Sequence, residues 1–93
     1  MPTSEGDEPA LASTFDLLSD ETRLRIVREL AGGDSDPVPF SVLCDRLGVS
    51  DTGRFNYHLG RLRGRLVEKR EGGYVLTREG DTLAGLLRTS VPA

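Results

Sequence analysis

Leu43-Cys44-Asp45-Arg46-Leu47-Gly48-Val49-Ser50 is the stretch on which the fold turns. A helix, a sharp turn and a second helix presented to a groove need three residues in order: a glycine where the first helix stops, a buried apolar residue to pin the turn, and an N-cap for the next helix. Gly48, Val49 and Ser50 supply them. Four places before the glycine, where the helices touch, a small residue is required, and Cys44 stands there. On the near side, Val42, Leu43 and Leu47 form the apolar face of a helix opening at Phe40 or Ser41. On the far side, Phe55, Leu59, Leu62 and Leu66 recur at i, i+4, i+7 and i+11, which predicts a helix over about 51–65 capped by Ser50.

Reading towards the C-terminus, Val67–Arg70 and Tyr74–Thr77 read as two short strands, with Glu71-Gly72-Gly73 as a tight turn between them, so the hairpin spans 67–77. Thr77 then caps a last helix carrying Leu83, Leu86 and Leu87, which frays before Pro92. Towards the N-terminus, Ser19 or Asp20 caps a helix with Glu21 in its first turn and Leu24, Ile26, Val27, Leu30 and Ala31 as apolar residues; Gly32-Gly33 ends it. Residues 34–39 form a turn-rich loop in which Val38 begins a very short strand. Leu11, Phe15 and Leu18 mark one face of a short first helix, and residues 1–9, acidic and proline-containing, read as a disordered arm. The order is helix, helix, short strand, helix, helix, strand, strand, helix. It predicts a mainly α fold with a small β-hairpin, a winged helix-turn-helix over residues 10–91.

Ninety-three residues and 10.1 kDa suit a single domain. The net charge of −3 argues at first against a nucleic-acid partner, but it averages unlike segments. Residues 1–39 carry nine acids against three arginines, residues 40–78 eight bases against four acids, and residues 79–93 two acids against one arginine. Lys69 is the single lysine among twelve bases. An acid excess with almost no lysine fits a surface adapted to high salt, a halophilic trait; a genome that favours arginine codons gives the same count. No apolar run is long enough for a membrane span, and Met1 to Pro9 does not resemble a signal peptide. One cysteine and one histidine make neither an internal disulfide nor a zinc site, which points to a cytoplasmic protein with no metal and no cofactor.

Phe15-Asp-Leu-Leu-Ser-Asp-Glu-Thr-Arg-Leu-Arg-Ile-Val-Arg-Glu-Leu30 resembles the opening of ArsR-like winged-helix transcription regulators. Leu47-Gly-Val-Ser50 followed by Phe55-Asn-Tyr-His-Leu59 resembles their recognition region, and Gly53-Arg-Phe-Asn-Tyr-His-Leu59 is most similar to a haloarchaeal branch. The resemblance covers about residues 11–88. It implies a DNA-binding transcription regulator, a homodimer joined through its first and last helices. Two departures stand out. One residue more lies between Ser50 and Leu59 than in the common family spacing. Many relatives in this branch continue into a further C-terminal domain, so the chain is either a minimal form or the DNA-binding half of a longer regulator. Metal-sensing relatives carry Cys-x-Cys-Asp on the third helix; here Val42 replaces the first cysteine and the last helix has no histidine. Cys44 then reads as a small buried contact residue, and no metal site is expected.

On a helical wheel with Phe55 facing the core, Gly53, Tyr57, Gly60 and Gly64 fall near the opposite pole, flanked by Arg54, Arg61 and Arg65 on one side and Asn56 and Arg63 on the other. Glycines inside a helix are costly, about 1 kcal/mol each, and close approach to a groove is one reason for them. Arginine reads guanine and asparagine reads adenine in the major groove, so Arg54 and Asn56 are the candidate base readers, with Thr52, Gly53 and Tyr57 beside them. Ser50, Arg61, Arg63, Lys69 and Arg70 are candidate phosphate contacts. Leu11, Phe15, Leu18, Leu83, Leu86 and Leu87 are candidates for a dimer interface, or else complete the monomer core. His58 reads as a half-buried helix histidine. No nucleophile, base and acid combine, so the chain reads as a non-enzyme. The leading expectation is a homodimeric regulator binding double-stranded DNA, with no effector assigned; the alternative is a winged-helix module for protein–protein contact.

Overall fold

The computed structural model describes residues 12–33 and 35–90, with the backbone alone at 89 and 90. The expected arm 1–9 and Leu11 lie outside the described residues. Helix α1 covers 12–18, α2 Glu21–Gly32, α3 Phe40–Leu47 and α4 Thr52–Leu62; strands β1, Val67–Arg70, and β2, Gly73–Leu76, form an antiparallel hairpin; α5 runs Arg78–Ser90. This is the mainly α, hairpin-bearing winged helix-turn-helix that the sequence predicts.

The middle of the fold is α2. Asp20 caps it, its carboxylate accepting the N–H groups of Thr22 at 2.8 Å and Arg23 at 3.3 Å, while Glu21 complements the dipole. Ile26 and Val27 are fully buried, and the helix packs against α3, α4, α5 and β2. After α3, Gly48 adopts φ 65° and its N–H returns to the carbonyls of Cys44 and Asp45, as does that of Val49 to Cys44 at 2.9 Å. Arg25 of α2 donates to the Leu47 carbonyl at 2.8 Å, which fastens the turn to the centre of the domain. Below the turn, the Phe40 and Phe55 rings meet at 5.7 Å.

Helix α4 corrects the sequence reading at both ends. Its cap is Asp51, whose carboxylate accepts the Arg54 N–H at 3.0 Å; Ser50 stands exposed one place earlier. Aspartate is an equally good cap, and it stands one place nearer the helix. The helix ends at Leu62 and does not reach Arg65. Arg63 is extended, and Gly64 takes φ 89°, a conformation that L side chains avoid. Gly64 therefore serves chain reversal, donating to the Val67 carbonyl at 3.0 Å, and is no part of a groove-facing ridge. Leu66, expected on the helix, is fully buried in this reversal.

The hairpin pairs Val67 with Leu76 and Arg70 with Gly73, so its turn has only two residues, Glu71 and Gly72, at φ 51° and 79°. Positive φ at both marks a type I′ turn. Gly73 belongs to β2, not to the turn. A Cβ there would lie 2.8 Å from Pro37 and the Val38 nitrogen, because Val38 forms an isolated bridge with Tyr74 as a minimal third strand. Thr77 lies outside the strand and caps α5, accepting the Gly80 N–H at 3.0 Å and donating to the Arg65 carbonyl at 2.7 Å.

The face of α1 also differs from expectation. Thr14 and Leu17 are buried and Leu18 packs against the core, whereas Phe15 is 64% exposed. What seats α1 is polar. The Arg23 guanidinium, only 8% exposed, donates from Nε to the Leu17 carbonyl at 2.6 Å and from Nη2 to that of Asp16 at 3.5 Å. Those carbonyls sit at the negative end of α1, and a cation satisfies them best. The register of α1 is set by this attachment as well as by its apolar residues.

Glu71 is the one non-glycine residue at positive φ among those described. Left-handed conformations cost most L residues about 1–2 kcal/mol and asparagine less. Glu71→Asn is therefore expected to stabilise the domain by up to about 1 kcal/mol, measured by urea denaturation; a loss of stability would show that Glu71 holds the turn by a contact of its own.

Candidate nucleic-acid interface

Between Thr52 and Val67 the chain has four arginines and no acid. Helix α4 buries Phe55, His58, Leu59 and Leu62 and leaves Thr52, Gly53, Arg54, Asn56, Tyr57, Gly60 and Arg61 exposed. The first turn of α4 faces the hairpin across an open groove of about 490 Å³ lined by Phe40, Thr52, Gly53, Asn56, Lys69 and Tyr74. Lys69 is paired across the strands with Tyr74, and its Nζ lies 6.0 Å from the ring centroid. This cross-strand pair holds the ammonium beside the α4 face.

The remaining sequence candidates divide. Arg54 lies on the other flank of α4 and lines a separate hollow of about 160 Å³ at the turn, with Ser50, Asp51 and Arg25. Arg61 donates to the Tyr57 hydroxyl at 3.2 Å and approaches the Asp16 carboxylate at 3.9 Å, so these two side chains are braced against each other and α1. Arg63 is exposed just past the helix end. Arg65 is taken into the fold: it pairs with Glu79 of α5 at 3.4 Å and bonds Ser13 and Thr14 of α1. Lys69 and Arg70, grouped by sequence, alternate across the sheet. Arg70 pairs with Glu68 at 3.6 Å and lines a different cavity with Asp36 and Asp81. Ser50 shares the α4 N-terminus with the Asp51 carboxylate, which already occupies the position where helix amides would receive a phosphate.

His58 is buried, 5% exposed, and not half-buried as expected. Its Nδ1 accepts from Arg23 Nη1 at 3.0 Å and lies 3.8 Å from the Asp20 carboxylate. To accept from a guanidinium, Nδ1 must be unprotonated, so the ring carries its proton on Nε2. The sequence reading missed Arg23, although a signal was present: Arg23, Ile26, Val27 and Leu30 recur at i, i+3, i+4 and i+7, which places an arginine on the core face of α2.

Cys44 is buried beside the turn, and desolvation together with neighbouring Asp45 pushes its thiol up, away from reactive thiolate. Among the described residues, no three His, Cys, Asp or Glu side chains gather to hold a metal ion, and no helix is long and apolar enough to cross a membrane. The dimer candidates split: Phe15 and Leu86 (60% exposed) are open, while Leu18, Leu83 and Leu87 are partly buried against the core.

Fold and exposed face together define a winged-helix domain whose α4 presents an exposed, acid-free face with Arg54 and Arg61. The chain belongs to the family DUF7347, described as a domain of unknown function, whose model matches residues 11–87. No curated protein and no solved structure matches it.

Asp20 connects the cap of α2 to this face. Burial would raise its carboxyl, but hydrogen bonds from the Arg23 and Thr22 amides and the positive charge of the Arg23 guanidinium outweigh it and hold the group below its ordinary 3.8. A depressed folded-state value gives stability that is present above the unfolded value and lost as the pH falls through the folded one. Asp20→Asn, which keeps the cap, should be less stable than wild type near neutrality, with the gap closing below about pH 3.8. Denaturant midpoints across pH test this; a constant gap would mean that the charge is irrelevant.

Proposed function

We propose that this domain is a sequence-specific regulator of transcription that binds double-stranded DNA, with α4 in the major groove and the hairpin on the backbone. The observation that carries the reading is the groove in which Thr52, Gly53 and Asn56 of α4 meet Lys69 of β1, on a face free of acids from Thr52 to Val67. Asn56 suits adenine, and Lys69, a compact point charge, suits a phosphate beside it. Arg54, Tyr57, Arg61 and Arg63 extend the face, and Arg70 meets the backbone from the far side of the hairpin. The resemblance to ArsR-like regulators points the same way and to a homodimer acting in the cytoplasm. Exposed Phe15 on α1 and Leu86 on α5 support a two-fold pairing through those helices. Such a pairing would set the recognition helices about 34 Å apart on a palindromic site. Those same exposed apolar residues favour the second reading, a module that docks on another protein, either alone or as one half of a longer regulator.

Fluorescence anisotropy with labelled genomic fragments at two salt concentrations separates the readings. Saturable binding is expected. Asn56→Ala should weaken the best fragment by about tenfold or more and relax its selectivity. Lys69→Ala should weaken all fragments alike and lower the salt slope by about one. No saturable binding, or two variants indistinguishable from wild type, would remove the DNA reading. Light scattering tests the pairing separately: Phe15→Ser with Leu86→Ser should give a monomer, and a monomeric wild type would end that claim.

A further inference from the structure

A hollow of about 360 Å³ opens between the C-terminal half of α2 and α5, lined by Arg28, Ala31, Gly32, Ala84, Leu87 and Arg88. Its walls are apolar and small. Ala84 is buried, Ala31 and Leu87 are partly buried, and a Cβ at Gly32 would meet nothing within 4 Å. Its charged lining is of one sign: Arg28 on α2 and Arg88 on α5, with no acid between them. Neither arginine forms an ion pair among the described residues, although four other arginines do so there. Arg46, Arg61, Arg65 and Arg70 all have acidic neighbours. Three other cavities set acids against their arginines, and the α4–hairpin groove holds a single lysine. The one beneath the hairpin holds Asp36 and Asp81 against Arg70, the one beside the 34–39 loop holds Glu29 and Asp36 against Arg46, and the hollow at the turn holds Asp51 against Arg25 and Arg54.

From this pairing of apolar walls with two unopposed guanidinium groups, we infer that the α2–α5 hollow is a binding site for a small organic anion with an apolar body, such as an aromatic or branched carboxylate. The volume lies in the range of small-molecule sites, which are mostly apolar with a few placed polar groups. The chemistry divides between the two parts of the lining. Ala31, Ala84 and Leu87 take the hydrocarbon out of water, and the guanidinium forks of Arg28 and Arg88 receive the carboxylate oxygens. A neutral ligand of the same shape would leave both cations unanswered, and an inorganic anion would leave the walls wet. The site is on α2 and α5, not on α4 or the hairpin, so it holds whether or not the chain binds DNA.

The test uses 1-naphthoate as probe, 1-naphthalenemethanol as its neutral counterpart and sulfate as the anion without an apolar body. Binding is followed through amide shifts in a nitrogen–proton correlation spectrum of the whole chain. The expected result is saturable shifts at Ala31, Gly32 and Ala84 with naphthoate, at least about tenfold weaker binding of the alcohol and no saturation with sulfate. Arg28→Gln with Arg88→Gln should remove the preference for the anion while leaving the spectrum folded. Ala84→Leu, which fills the hollow, should abolish binding; Gly32→Leu, which fills it from an exposed position, keeps the test open if the former fails to fold. Equal affinity for acid and alcohol, shifts confined to another face, or no saturation at millimolar naphthoate would overturn the inference. So would light scattering and spectra showing these amides covered by a second copy of the chain.

Discussion

The buried guanidinium of Arg23 ties three helices together. It satisfies carbonyls at the end of α1, belongs to α2 and donates to His58 on the inner face of α4. A domain of this size has little apolar area to spend on fixing orientations. A buried cation can do so because its donors point in set directions and because leaving it unpaired is severely unfavourable. Asp20 completes the arrangement by lying 3.8 Å from the imidazole while capping α2. The exposed face of α4 is therefore aimed by a polar contact on its hidden side.

Charge partition follows the same geometry. The bases of the middle segment do not form one uniform patch. Arg65 is drawn into the α1–α5 junction, Arg46 pairs with Glu29 on α2, and Arg70 is offset by Glu68. What stays open on the α4 side is Arg54, Arg63 and Lys69, with Arg61 braced by Tyr57. A net charge of −3 is compatible with this face because the acids fall mainly before residue 40.

Local rules carried much of the fold. The turn at Gly48-Val49, the hairpin and the Thr77 cap were legible because each depends on a few adjacent residues; Asp20 was one of two candidate caps, and the short strand at Val38 was legible without its partner, Tyr74. The errors arose where position in space outranked local pattern. Leu66 fits the α4 periodicity, yet Gly64 reverses the chain before it. Phe15 fits the α1 stripe, yet Arg23 holds α1 so that Leu17 and Thr14 face inward. Ser50 is a fair cap, but Asp51 is one place nearer the helix. Of the candidate site, the exposed residues of α4 were readable from the wheel. That Lys69 joins Asn56 while Arg70 does not required the strand register. The α2–α5 hollow was not readable at all, since its lining comes from residues more than fifty positions apart.

A double-mutant cycle between Arg23 and His58, using Arg23→Met and His58→Leu with unfolding free energies from urea denaturation, tests this account most directly. If the guanidinium–imidazole contact fixes α4 against α2, the two substitutions should couple by about 1–3 kcal/mol. Each single change should also shift the amide resonances of the exposed α4 residues. Additivity within about 0.5 kcal/mol, with α4 resonances unmoved, would contradict it.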